Sequence, residues 1–187
     1  MQANCLAVSL KKPIAPGGTS VLNIRYEGFL FGYAETGMLY VKDRIDEKFT
    51  IIRMDCLAYP TIGYPSWKVN QEAGQDSFSY RLAVSVPEPL VAVNGGRAIG
   101  SDRGEGWIRY RFENIRPAWR IDIAIADYGL LQKPEGKLKV FHFAEDLEGA
   151  RRILETMSKS GTALEHLKFR FHSSDKFSSC YNTAVLS

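Results

Sequence analysis

The feature that most constrains this chain is the run Ser77–Val86. Phe78, Tyr80, Leu82, Val84 and Val86 alternate with small or polar residues, and two prolines, Pro87 and Pro89, follow at once. Successive side chains of a strand point to opposite faces, so a period of two marks a strand with one buried face. Proline offers no ladder donor and ends such a run. A chain holding a strand of this kind needs further strands and an apolar layer beneath them.

The rest of the chain supplies them. Cys5–Leu10 is a short strand candidate, and Pro13, Pro16, Gly17 and Gly18 punctuate the turn after it. Ser20–Leu30 alternates through Val21, Asn23, Arg25 and Glu27 on one side and Leu22, Ile24 and Tyr26 on the other. Gly37–Val41, Lys48–Arg53, Trp107–Phe112, Trp119–Ala126 and Lys137–Phe143 read as further strands. Asn94-Gly95 between apolar runs predicts a tight hairpin. Gly104-Glu105-Gly106 reads as a hairpin turn, because it opens a strand and not the helix a phosphate cradle needs.

After Phe143 the period changes. Leu147, Ala150, Leu154, Met157, Gly161, Leu164 and Leu167 recur at three and four residues, which is one face of a helix. Glu145 and Asp146 fall in its first turn, where the helix dipole favours negative charge. Gly161 is a point at which the helix can split. The expected fold is mainly β: an antiparallel β-sandwich or saddle-shaped sheets with one C-terminal helix. Residues 5–143 form the antiparallel domain, 144–170 a helical segment packed on it, and 171–187 a flexible tail. A chain of 187 residues is long enough for one such core.

Charge and cysteine content exclude several functions. The net charge is +3, with 24 basic and 21 acidic residues interspersed. Arg109, Arg111, Arg116 and Arg120 spread over a strand-rich stretch and read as a solvated sheet face, so no nucleic-acid partner is expected. Cys5, Cys56 and Cys180 are an odd set without a C-x-x-C pair, which allows one disulfide but no disulfide framework, and they read by default as reduced, structural thiols. No apolar run approaches the length of about 20 residues that spans a bilayer, and the N-terminus lacks the charged and apolar regions of a secretory signal. A soluble chain, cytoplasmic by default and without membrane contact, is expected.

No catalytic constellation emerges. A zinc peptidase places two histidines one helical turn apart with a glutamate between them, because both imidazoles must reach one metal. The three histidines, His142, His166 and His172, cannot do this: Glu165-His166 is in the wrong order and the other two stand alone. No G-x-S-x-G elbow is present. Asp43, Asp46 and Glu47 do not match a calcium-loop spacing and read as a solvated turn. No metal, cofactor or catalytic residue is assigned. The segment with functional promise is the aromatic loop of Tyr59, Tyr64 and Trp67. Such side chains either stack on a sugar or dock a partner protein, or plug the end of the sandwich. On this reading the chain is a free-standing binding module, or dimerises through an open sheet edge.

Several segments, read in order, resemble the N-terminal β domain of the gluzincin zinc aminopeptidases (peptidase family M1). Leu10-Lys11-Lys12-Pro13-Ile14-Ala15-Pro16-Gly17-Gly18-Thr19 resembles its P-L-x-P-G turn, and Leu22-Asn23-Ile24-Arg25-Tyr26-Glu27-Gly28 the strand that follows. Ala58-Tyr59-Pro60 stands at its aromatic-proline step. Phe78 to Pro87 is similar to its F-x-l-x-v-x-v-P strand, Val93-Asn94-Gly95-Gly96 to its s-N-G hairpin, and Ile125-Ala126-Asp127-Tyr128 to its last long strand pair. The resemblance covers most of residues 6–170. Tyr59-Pro60-Thr61-Ile62-Gly63-Tyr64-Pro65 replaces the family's F-P-C-x-D-E-P, as in the branch associated with membrane transporter subunits. Both G-x-M-E-N and H-E-x-x-H are absent. The resemblance implies a non-catalytic accessory domain that packs, in cis or in trans, on a catalytic peptidase domain and borders its substrate cleft. Zinc is then expected only in that separate domain.

Overall fold

A computed structural model describes residues 7–30, 45–53, 58–60, 77–134, 138–168 and 183–185, with backbone alone for Pro117, 161–168 and 183–185. The expected architecture is present: nine strands and one long helix among the described residues. The strands are β1 (Phe49–Ile52), β2 (Phe78–Pro87), β3 (Val91–Asn94), β4 (Arg97–Gly104), β5 (Trp107–Ala118), β6 (Ile123–Ala126), β7 (Gly129–Gln132), β8 (Lys139–His142) and β9 (Thr183–Val185). They form three three-stranded sheets, ordered β2-β5-β4, β1-β6-β3 and β7-β8-β9. All pairs are antiparallel except β8 with β9, which is parallel. The helix α1 (Leu147–Lys168) follows a 3-10 turn at Ala144–Asp146 and runs unbroken through Gly161.

The alternation of β2 does what its sequence implies. Leu82, Val84 and Val86 turn inward with Tyr110 and Phe112 of β5, and meet Ala92, Ile123 and Ile125 of the next sheet. Ser79, Arg81, Ala83 and Ser85 stay exposed. The β1-β6-β3 sheet is the middle layer. Ala92 and Ile125 face one neighbour, while Val91, Val93, Ala124 and Ala126 face Phe141, Phe143 and Tyr128 on the other side. A sheet buried on both faces has no polar side, so its strands read as apolar runs, VAVN and IAIA, without alternation. Beyond it, Val140 of β8 packs with Leu131 and Leu138 against Ala150 and Leu154 of α1. Burying a leucine such as Leu154 contributes about 1.5–3 kcal/mol. The molecule is therefore layered as sheet, sheet, sheet and helix, with three small cores between.

Turn chemistry explains the connections. Ala15-Pro16-Gly17-Gly18 closes with Gly18 N donating to Ala15 O at 2.8 Å, and Gly17 has φ +77°, the left-handed position that a type II turn with proline at its second residue requires. Glu105 and Gly106 have φ of 52° and 79°, which makes the β4–β5 hairpin a type I′ turn, as Gly104-Glu105-Gly106 predicts. The Glu88–Pro89 bond that leads from β2 to β3 is cis.

Four expectations change. Residues 7–10 form no strand, and 20–30 join no ladder. Their alternation satisfies the local requirement of a strand, but a ladder also needs an edge, and none of the described strands pairs with them. Asn94-Gly95 makes no hairpin: β3 pairs with β6 and β4 with β5, so the Asn-Gly step turns the chain from one sheet to the next. Strand β6 is confined to Ile123–Ala126, and β7, which carries little alternation, escapes detection by periodicity altogether. The Gly37–Val41 candidate lies outside the described residues. No helix among the described residues is long and apolar enough to cross a membrane.

Candidate functional site

Among the described residues, an open cleft lies where β2 and β5 lose register. Phe78 pairs with Ala118 but Tyr80 with Asn114, so β5 carries extra residues between them. A bulge of this kind bends the strand and re-aims its side chains. The cleft, about 480 Å³ in volume, is lined by Ser79, Tyr80, Arg81, Asn114 and Ile115.

A buried polar node closes its inner side. Asn94 is 6% exposed, and its amide oxygen accepts from Tyr80 Oη at 2.9 Å and from Gly96 N at 2.8 Å. Its amide nitrogen donates to Asp122 O at 2.7 Å. The node thus ties β2, the end of β3 and the approach to β6. Gly96 is required here: a Cβ would lie 2.9 Å from both Asn94 Oδ1 and Glu113 O. Burial raises the Tyr80 phenol above its ordinary value, and the nearby Asp122 carboxylate adds to the shift. Arg120 pairs through Nε with Asp122 at 2.7 Å and lies over the Trp119 ring at 4.7 Å. The cleft offers a hydroxyl, a phenol, one amide and one guanidinium, from Ser79, Tyr80, Asn114 and Arg81. These groups donate and accept hydrogen bonds, which suits the binding of a polar group.

The sequence candidates fall in different places. Tyr59 is half-buried, and its hydroxyl accepts from Ile121 N at 2.9 Å, which anchors the 58–60 segment to the chain entering β6. Tyr64 and Trp67 lie outside the described residues, as do Cys5, Cys56, Cys180 and His172. His142 is 6% exposed, with Nδ1 2.8 Å from Phe143 O and its ring over the Gly129 backbone, where a Cβ would come within 2.7 Å. Asp46 caps the entry to β1 by accepting from Lys48 N at 2.9 Å and Phe49 N at 2.7 Å. Among the described residues no three His, Cys, Asp or Glu side chains come together as a metal group. Arg109 and Arg111 stand on the outer face of the β2-β5-β4 sheet. The Tyr80–Asn94 node was missed by sequence reading, although an asparagine ending a wholly apolar strand is a signal for it.

Tyr128 is a second buried phenol, 6% exposed among Phe141, Phe143 and Val93. Its hydroxyl finds no hydrogen-bond partner among the described residues, and burial pushes its pKa up to about 12. The raised value means that the folded state keeps its proton where the unfolded chain has lost it. Stability from this group is intact below pH 10 and is lost as pH rises towards 12. Tyr128→Phe removes an unsatisfied polar atom while keeping the ring, so it should change stability by less than about 1 kcal/mol, or raise it. It should also flatten the alkaline decline. Urea midpoints at pH 8 and pH 11 measure both.

Compared with known proteins, the chain matches no family model, and no curated protein sequence matches it significantly.

Proposed function

We propose that this chain is a non-catalytic accessory β domain that packs against a separate catalytic domain of the gluzincin zinc peptidase kind. The observation that carries the reading is the state of residues 20–30. They have the pattern of a half-buried strand, yet Val21 is 82% exposed, Leu22 52%, Ile24 45%, Tyr26 60% and Phe29 75%. Five large apolar side chains exposed within one short segment suit a stretch that another body covers. Tyr26 Oη holds the segment in place by donating to Ala58 O at 2.9 Å. The segment coincides with one of the motifs on which the family resemblance rests, and the layered β fold followed by a helix is the architecture which that resemblance implies. The polar lining of the cleft, which offers hydrogen bonds, fits an accessory role.

Two measurements on the purified chain test this. With zinc and peptide p-nitroanilides it should release no nitroaniline; turnover that is lost on metal removal and returns with zinc would end the reading. A gluzincin catalytic domain expressed without its own β domain should co-migrate with the chain in size-exclusion chromatography. Separate elution at micromolar concentrations of both would count against it equally.

A further inference from the structure

The outer face of the β2-β5-β4 sheet is open and unevenly charged. Strand β5 turns Ile108, Tyr110 and Phe112 inward, which leaves Trp107, Arg109, Arg111, Glu113 and Ile115 outward. The register sets Arg81 and Arg97 on either side of Glu113, Ala83 and Gly100 beside Arg111, and Ser85 and Asp102 beside Arg109. Glu113 accepts from Arg97 and lies 4.0 Å from Arg81, and the hydrogen bond from Arg97 holds its carboxyl below the ordinary value. Arg111 forks onto Asp102, with Nη2 3.3 Å from Oδ1, and its guanidinium reaches over Gly100, where a Cβ would meet it at 3.1 Å. Both carboxylates are thereby engaged, and Arg109, exposed, makes no hydrogen bond or ion pair with any described residue. Two residues along stands Trp107, 51% exposed, with Pro87 and Gly104 opposite it in the register; at the far end is Ile115, 77% exposed.

We propose that this face docks an acidic, extended segment of a partner protein, with Arg109 as its charge anchor and Trp107 as its apolar anchor. Arginine and tryptophan are the side chains that most often dominate interfaces. A guanidinium whose fork is unused is matched by a carboxylate. Positions two apart on a strand lie about 7 Å from each other on one face. An extended partner that carries Glu and Leu two residues apart therefore presents a carboxylate to Arg109 and an apolar group to Trp107 together. A nucleic acid suits the face less well, because Glu113 and Asp102 stand among the arginines and repel a continuous phosphate chain. The residues involved are not those of the 20–30 segment, so an acidic partner would dock here whether or not it is a peptidase.

The test uses the full chain and fluorescence anisotropy of labelled probes: a peptide repeating Glu-Ser-Leu-Ser, the same peptide with Lys for Glu, and a single-stranded oligothymidine. The acidic peptide should bind saturably and weaken as salt is raised, and the lysine peptide should not bind. Arg109→Ala and Trp107→Ala should each weaken binding about tenfold, and Arg109→Glu should abolish it. Arg151→Ala, on the exposed side of α1, should leave it unchanged. These positions are exposed, and thermal melts of the variants should overlay the parent. No saturable binding of the acidic peptide overturns the proposal, as does equal affinity in Arg109→Glu. Tighter binding of oligothymidine than of peptide would reassign the face to nucleic acid.

Discussion

Replacing Phe112 by alanine should cost about 3–5 kcal/mol of stability, the usual range for deleting a fully buried aromatic side chain. Phe112 is 5% exposed and stands between two sheets, packed with Val86 of its neighbour strand and with Ala92 and Ile125 of the middle layer. Removing the ring leaves a cavity at the one core that joins the β2-β5-β4 sheet to the rest of the molecule. The middle sheet cannot close it readily, because its other face is held by Phe141, Phe143 and Tyr128. For a chain of this size each kcal/mol corresponds to roughly 2–4 °C in melting temperature. Urea unfolding followed by far-ultraviolet circular dichroism measures the effect. A loss below about 1 kcal/mol would mean that the two sheets do not pack as described.

Asn94→Leu should be nearly as damaging, at about 3–5 kcal/mol, although it keeps the branched shape and adds apolar surface. The amide makes three hydrogen bonds, to Tyr80 Oη, Gly96 N and Asp122 O. Leucine satisfies none of them, and each buried group left without a partner costs about 1–3 kcal/mol. The three are not additive, since they share one side chain. Tyr80→Phe removes a single bond of the same node and should cost about 1 kcal/mol. In a double-mutant cycle, adding Tyr80→Phe to Asn94→Leu should cost almost nothing further. Independent additive losses would show that the node is not a unit.

Both residues illustrate how the sequence divides. Phe112 sits in a strand whose alternation is plain, and its inward orientation follows from a period of two. The same holds for β2, and for α1, where Ala150 and Leu154 are buried as the three-and-four spacing requires. Gly104-Glu105-Gly106 declares its turn, because two consecutive positive φ angles favour a glycine there. Asn94-Gly95 was legible as a turn but not as a change of sheet. Local chemistry bends the chain at that point in either case, and only the partners of β3 and β4, in two different sheets, decide what the bend connects.

The cleft was not legible at all. Its residues come from β2 and β5, and the register slip that opens it between Phe78 and Tyr80 has no marker in local composition. The aromatic loop drew attention because tyrosine and tryptophan are conspicuous in sequence. In the fold, Tyr59 is tied to Ile121 N.

The amino-acid order by itself determined where β2, β5 and the helix form, which faces of β2 and β5 are apolar, and where the chain must turn, because backbone sterics and side-chain period act over a few residues. Tertiary structure alone decided which strands pair, that the middle sheet is covered on both faces, and that residues 20–30 are left without a ladder. Those outcomes depend on contacts between residues far apart in the chain, and no short window of sequence contains both partners.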